Sequence, residues 1–411
     1  MKNYIQLMAV VGILILSAGC NQKSNQQSES KAEHIHRQVL TVDTHTDTPL
    51  NLGDPEFDLG KRHDPDSSYS RIDLPRMQDG DMDASFFAVY VGQRERTPQG
   101  HHEVHKRAMK LFESIYQSVE KYPEQAEVAT EPDDAYRLEK ENRKAIYIGV
   151  ENGYALGGEL DHVKKFYDLG ARYITLCHTS NNDLCDSSTD DEGPEHDGLS
   201  KFGEQVVREM NKLGMIIDVS HISDQSFYDV LEISEDPIMA SHSNARALRD
   251  HPRNLSDEML LALKENGGVI QICLVSTYLK KPEPQPKRDS AFAALREKYN
   301  GFNDLTEEEM AKARKEWRLL HRKYPRKLAD VKDVVDHIDH VVETIGIDHV
   351  GIGTDFDGGA QVNGCRDVSE IPNITRELVK RGYTKEQIEK IWGGNFMRVF
   401  REVRRTKETS S

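Results

Sequence analysis

The chain is expected to form an α/β protein, a (β/α)8 TIM-type barrel with a helical insertion after its seventh strand, and three observations predict that fold. First, one device occurs twice between residues 215 and 254: a short apolar run, 215–219 and then 237–240, ends in a Ser-His pair, Ser220-His221 and Ser241-His242. Turn residues and an amphipathic segment follow (Phe227, Val230 and Leu231 in the first unit), which is the pattern of strand, loop and helix. Second, strand candidates of this kind recur along the chain until they number eight, most of them with a helical segment behind. Third, ligand-type side chains collect just past the C-terminal ends of these strands, the edge where barrels of this class carry their catalytic residues. A doubly wound parallel sheet is the alternative architecture, since it too is built from alternating βα units.

Taken in order, a first strand at 39–42 leads into Asp43-Thr44-His45-Thr46-Asp47, where His-x-Asp puts two ligand-type side chains on one side of an extended backbone. Asp73-Leu74-Pro75-Arg76 starts a helix, a second strand covers 84–91, and helical segments follow near 103–121 and 133–142. The third strand, 145–150, ends in Glu151-Asn152-Gly153, and the fourth, 172–176, leads to His178 and a polar, acidic loop reaching Gly198. The repeated pair supplies strands five and six. The seventh, 268–273, precedes a charged insertion at about 280–329 whose Leu305-Thr306-Glu307-Glu308-Glu309 marks a capped, solvent-facing helix. The eighth, 349–353, ends in Thr354-Asp355-Phe356-Asp357-Gly358-Gly359, and helices close the chain from Glu370. The barrel domain is thus expected over 37–405, with 406–411 as a tail.

The N-terminus reads differently. Lys2, an apolar run at 5–16 and the small residues Ser17-Ala18-Gly19 before Cys20 have the layout of a secretory signal, and the run is short for a membrane-spanning helix. Small residues ending at a cysteine resemble a bacterial lipobox, with Cys20 as the lipidated first residue; Ser17 stands where leucine is more usual. An ordinary secretory signal with an incidental cysteine is the other reading. Residues 21–36 are expected to be a flexible tether, being rich in Gln, Ser, Asn and Lys at their start. The expected location is therefore the cell-envelope membrane, as an exported bacterial lipoprotein on the periplasmic or outer surface.

Seventy acidic against 54 basic residues give a formal charge of −16, which argues against a nucleic-acid surface. Cys177, Cys185, Cys273 and Cys365 form no CxxC pair, so a zinc ribbon is not expected, and their pairing is not readable from the sequence. No G-x-S-x-G elbow or Walker A loop occurs. His101, His102 and His105, and His337 with His340, have metal-like spacing but lie in charged amphipathic segments and are expected to be solvated helix faces.

Seven residues, His45, Asp47, Glu151, His178, His221, His242 and Asp355, come from six strand ends. Imidazoles and carboxylates converging without a cysteine ligand suit zinc or a similar divalent ion. A glutamate offers two oxygens, so Glu151 is placed to bridge two ions about 3.5 Å apart that share a water and lower its pKa.

At this point the residues resemble the membrane (renal) dipeptidases, zinc enzymes of the metal-dependent hydrolase superfamily. The resemblance is carried by Asp43 to Asp47, Gly149-Val150-Glu151-Asn152, Leu176-Cys177-His178-Thr179-Ser180-Asn181, Ile217-Asp218-Val219-Ser220-His221, Ser241-His242-Ser243-Asn244-Ala245, Arg253-Asn254 and Gly351 to Gly358, in family order. It implies two zinc ions per chain, one on His45 and Asp47, the other on His221 and His242, with Glu151 bridging. It further implies that His178 polarises the scissile carbonyl, that Arg253 holds the substrate's terminal carboxylate, and that Asp355 orients a metal-bridging hydroxide and relays its proton to the leaving amine. The implied substrate is a dipeptide and the implied assembly a homodimer. Gln271-Ile272-Cys273-Leu274 departs from the Asn-Phe of many relatives and alters the expected pocket. Two other readings accompany this one: hydrolysis of another small amide, such as an N-acyl amino acid, and a solute-binding lipoprotein without catalysis. For Arg253 the competing expectation is a surface arginine paired with Asp250 or Asp257.

Overall fold

A computed structural model describes residues 29–64, 70–299 and 307–409. Eight strands follow one another round a parallel sheet in chain order: β1 (Val42–Thr46), β2 (Ala84–Tyr90), β3 (Lys144–Glu151), β4 (Ala171–Thr175), β5 (Ile216–Asp218), β6 (Met239–Ser243), β7 (Val269–Ile272) and β8 (Val350–Ile352). A doubly wound sheet reverses its strand order at the switch point. This order never reverses, so the fold is the TIM-type barrel. The seam between β8 and β1 is closed by a bridge from Thr46 to Phe356 and by the Asp43 carboxylate, which accepts from the Thr354 backbone N–H at 2.8 Å and its hydroxyl at 2.6 Å.

Strands covered on both faces read as near-continuous apolar runs, and β2 (ASFFAVY) and β3 (KAIYIGVE) do. Their starts form the closed end of the barrel. There Phe86 stacks on Tyr147 and Tyr173 with ring centres 4.8 and 5.4 Å apart, and meets Phe396 edge-on at 5.2 Å. Phe396 belongs to the last helix, Asn395–Thr409, which covers that end. Connecting helices begin where serines accept from the first turn: Ser200 from Gly203 N, Ser223 from Ser226 N and Ser256 from Met259 N.

The structure corrects several boundaries. The first and sixth strands were expected at 39–42 and 237–240 but run through Thr46 and Ser243. Their closing residues are polar because they face the barrel interior and its open end, as where Thr44 donates to the Ser241 carbonyl at 2.8 Å. An apolar run therefore marks only the first part of each strand. Residues 29–36, expected as part of the tether, are helical; Ala32, Ile35 and His36 are buried, and His36 Nε2 donates to the Gly80 carbonyl at 2.9 Å. The signal segment and Cys20 lie outside the described residues. Four residues of the expected tail are likewise helical, since the last helix continues to Thr409.

The insertion contains the helices Pro286–Lys298 and Glu307–Lys323, while the cap at Leu305-Thr306 lies outside the described residues. The two helices are not merely solvent-facing: Leu295, Tyr299 and Ala313 form their own small core, and Phe292 meets Trp317 at 4.8 Å. The insertion returns through Ala329–Asp330, which pairs with Val362–Asn363 beyond β8. A short strand, Ala126–Val128, adds to β3 without having been foreseen. Cys177, Cys185, Cys273 and Cys365 are buried free thiols. Among the described residues no helix is long and apolar enough to cross a membrane.

Candidate metal centre and active site

The barrel brings all seven candidate residues to its open end. His45, Glu151 and His242 are closing residues of β1, β3 and β6, whereas Asp47, His178, His221 and Asp355 lie one to three residues beyond their strands. This refines the expectation that all seven lie past a strand. His221 and Asp355 take left-handed backbone conformations (φ 74° and 62°), rare for side-chain-bearing residues and characteristic of functional turns. Glycine at 358 is a packing requirement, because a Cβ there would lie 2.0 Å from Asp355 Oδ1 and 2.1 Å from Asp47 Oδ2.

Glu151 is the centre of the cluster. Its Oε2 lies 3.5 Å from His45 Nε2, and its Oε1 lies 3.2 Å from His221 Nε2, 3.5 Å from His242 Nε2 and 3.8 Å from His178 Nε2. Three overlapping sets have ligand atoms within 4.8 Å of one another: His45, Glu151 and His242; Glu151, His178 and His221; His45, Asp47 and Asp355. Glu151 thus belongs to two of the three sets, with Oε2 toward His45 and Oε1 toward His221, His242 and His178.

The side chains behind the ligands fix which nitrogen faces the centre. Ser241 donates its hydroxyl to Asp218 Oδ2 at 2.6 Å, so its oxygen accepts from His242 Nδ1 at 2.8 Å, leaving the Nε2 lone pair directed inward. His45 Nδ1 meets the Tyr173 hydroxyl at 2.9 Å, which holds the ring with Nε2 toward Glu151. Gly149 makes that contact possible: a Cβ there would lie 2.0 Å from the Tyr173 ring.

Metal ions fit these residues on two observations. His45 Nε2, Asp47 Oδ1 and Glu151 Oε2 are buried with no hydrogen-bond partner, and His221 Nε2 faces His242 Nε2 at 2.8 Å. Buried polar atoms are ordinarily satisfied, so unpartnered nitrogen and carboxylate oxygen atoms gathered round one centre suit a cation there. The electrostatics agree. Burial, reinforced by Glu151, holds the Asp47 carboxyl well above its usual range; burial, opposed by His45 and reinforced by Glu151, pushes Asp355 up to about 7. Burial and the nearby Arg253 hold His221 neutral, and burial with His45 and Arg253 does the same for His242. His45 differs: its burial is outweighed by Glu151, with Asp47 and Asp355 beside it, which together push it up to about 10, so positive charge is favoured at this position. Two neutral imidazoles, a third that draws positive charge, and crowded carboxylates are a donor set suited to a borderline divalent metal.

Arg253 is 2% exposed and does not pair with Asp250 or Asp257. Its guanidinium donates to the His242 carbonyl at 2.9 Å and to Ser243 Oγ at 3.2 Å, lies 5.4 Å from the Tyr278 ring, and keeps its Nε unpartnered. Asp257 instead meets His340 at 2.7 Å.

Sequence reasoning missed Tyr173, Asp218 and Tyr90, whose hydroxyl lies 3.5 Å from His178 Nδ1. For Asp218 a signal was present: an acid inside an apolar run must be hydrogen-bonded if buried, and it accepts from the Ser220 and Ser241 backbones at 3.0 and 2.8 Å. The two tyrosines carry none, since aromatic residues in strands are ordinary. The set-aside histidines also differ from expectation. His337 is buried between the Ala245 N–H and the Leu279 carbonyl, and His105 is stacked on His162 with ring centres 3.7 Å apart.

A closed (β/α)8 barrel whose open end gathers imidazoles around a shared carboxylate defines a metal-dependent hydrolase. The chain belongs more narrowly to the membrane dipeptidase family, peptidase family M19, which matches residues 29–411. It is 35% identical to dipeptidase tcpJ of Claviceps purpurea over 354 residues, covering 85% of this chain and 73% of that protein. It is 32% identical to dipeptidase verJ of Clonostachys rogersoniana over 383 residues, covering 91% and 87%. Among solved structures, the probable dipeptidase PvdM from Pseudomonas aeruginosa superposes with a TM-score of 0.80 at 32% identity, covering 93% of this chain and 99% of that one. The protein is accordingly a metallopeptidase of dipeptidase type.

Proposed function

We propose that this protein is a binuclear zinc dipeptidase, with His45 and Asp47 holding one ion, His221 and His242 the other, and Glu151 bridging. The observation that carries the reading is the division of Glu151's two oxygens between separate imidazoles, 3.5 Å to His45 on one side and 3.2 Å to His221 on the other. Bound there, the ions would supply Lewis acidity toward the scissile carbonyl and would lower the pKa of water, the chemistry that makes a nucleophile available at neutral pH.

The chain's own residues do the rest. His178, held neutral by burial despite Glu151, presents an N–H toward the carbonyl oxygen as negative charge develops. Asp355, poised near neutrality, accepts a proton from the attacking water and returns it to the leaving amine. Arg253 meets the free C-terminal carboxylate of the substrate with charge-assisted hydrogen bonds, and this restricts the enzyme to short peptides with a free end.

The reading extends to location and assembly. The run at 5–16 ending at Cys20 supports export and a diacylglyceryl anchor in the cell-envelope membrane, and the family resemblance supports a homodimer. Detergent partitioning of the full chain against Cys20→Ala tests the anchor, which is wrong if both behave as soluble protein. The activity is tested with zinc-replete protein on dipeptides, dipeptide amides, tripeptides and N-acyl amino acids. Selective turnover of free dipeptides is expected. Preferred turnover of N-acyl amino acids would install the small-amide reading instead.

A further inference from the structure

A second cleft, of about 390 Å³, opens at the same end of the barrel, between the segments that follow β7 and β8 and the base of the insertion. Val275, Ser276 and Thr277 form one wall, Gly359 and Gln361 another. It adjoins the metal centre directly: a Cβ on Gly359 would lie 3.3 Å from Asp355 Oδ2 and 3.2 Å from Val275 Cγ2.

The remaining lining is cationic. Lys280, Lys281, Arg288, Arg326 and Lys327 face two carboxylates, Glu283 and Asp289. Two of the five are neutralised, Lys327 by Glu283 and Lys280 by Asp333 at 3.0 Å. Among the described residues no carboxylate pairs with Lys281, Arg288 or Arg326. Arg288 is 7% exposed, donates to the Tyr324 carbonyl and lies 4.2 Å from the Phe292 ring. Burial, with Arg326 beside it, pulls its guanidinium below the usual arginine range. Arg288 is a buried cation with the exposed Lys281 and Arg326 at the mouth of the same cleft, an arrangement that an anion entering there would stabilise. On a chain of net charge −16 such a patch is also not a by-product of composition.

We propose that this cleft is a substrate subsite for a side-chain carboxylate, so that the enzyme prefers dipeptides containing a glutamyl or aspartyl residue. The inference rests on the dipeptidase reading above. Arg253 takes the main-chain carboxylate, and the basic cleft on the other side of Asp355 takes the second one. Gly359 lines the cleft and abuts Asp355, so a substrate residue held at the metal centre has the mouth of the cleft beside it. Because Lys281 and Arg326 are exposed, their charge is open to substitution without disturbing the core.

The test compares Glu-Gly and Gly-Glu with their isosteric glutamine counterparts, in wild type and in the double variant K281Q/R326Q. The zinc-loaded wild type is expected to favour the better glutamyl dipeptide over its glutamine analogue by about tenfold or more in kcat/KM, and the double variant to bring the ratio to within about twofold. The readout is a ratio, so a general loss of folding or activity cancels. Calorimetry with zinc-loaded Asp355→Asn protein reads the same ratio as Kd without turnover, which keeps the test alive if no dipeptide is cleaved. Cleavage of neutral dipeptides with no glutamyl preference would overturn the subsite and leave the dipeptidase reading intact. A glutamyl preference that survives in K281Q/R326Q would overturn it as well.

Discussion

Two regions of this molecule are rich in histidine, and they are built in opposite ways. At the open end of the barrel, His45, His221 and His242 turn their Nε2 atoms toward Glu151, and buried His45 Nε2, Asp47 Oδ1 and Glu151 Oε2 have no hydrogen-bond partner. Beside the helix Pro98–Val119, His105 packs on His162 of the helix Asp161–Asp168 with ring centres 3.7 Å apart, but these histidines, like His101, are engaged with protein groups. His105 Nδ1 donates to the Ala155 carbonyl at 3.3 Å and its Nε2 accepts from Lys165 Nζ at 2.9 Å, while His162 Nδ1 meets the Leu156 carbonyl at 2.7 Å and His101 meets Asp183 at 3.0 Å. A metal centre is therefore distinguished by lone pairs left unspent, and histidine density alone is no guide.

The comparison is sharpened first at Asp355. Asp355→Asn removes the proton acceptor but leaves the imidazoles in place, so kcat should fall by about 10²- to 10⁴-fold while zinc content holds. Retained turnover would take the proton relay away from this residue. Next is Arg253→Met, which leaves the substrate carboxylate unpaired and should cost about 2 to 5 kcal/mol in kcat/KM on free dipeptides. Dipeptide amides should show almost none of that loss; an equal loss on both would remove Arg253 from substrate recognition. A smaller effect is expected for Tyr173→Phe, which frees His45 Nδ1 and should weaken zinc affinity by about 10- to 100-fold, read by chelator competition.

The smallest effect is expected on the helix side. Burial, with His162 beside it, pulls His105 down to about 4 in the folded protein against about 6.5 unfolded. The unfolded chain then binds the extra proton between those values, so stability rises with pH across the window and is lost as pH falls from 6.5 toward 4. His105→Gln should flatten that part of the Tm-versus-pH curve and leave zinc content and turnover unchanged. A loss of zinc in this variant would break the contrast between the two regions.

Much of the barrel was legible because a buried parallel strand announces itself as an apolar run, as 145–150 and 268–273 do. The last polar residues of β1 and β6 were not, because Thr44, His45 and His242 are polar for the sake of the site. The candidate ligands could be picked out by their placement near strand ends, and the structure gathers them at one end of the barrel, whereas Arg253 was singled out through the family resemblance. Tyr173 was not, since its reach to His45 depends on the space left by Gly149 on a neighbouring strand, a contact that no local pattern encodes. The docked helix at 29–36 was hidden in the same way: its polar composition conceals two apolar side chains, Ala32 and Ile35, that suffice to seat it.

The central claim is that one carboxylate, Glu151, serves two metal sites, and metal analysis of purified, zinc-equilibrated protein tests it most directly. Wild type should carry about two zinc ions per chain, and Glu151→Gln should lose both together, because each half-site gives up a charged oxygen. A wild-type protein with a single tightly bound ion and full activity, or a Glu151→Gln variant that loses one ion and keeps the other, would contradict it.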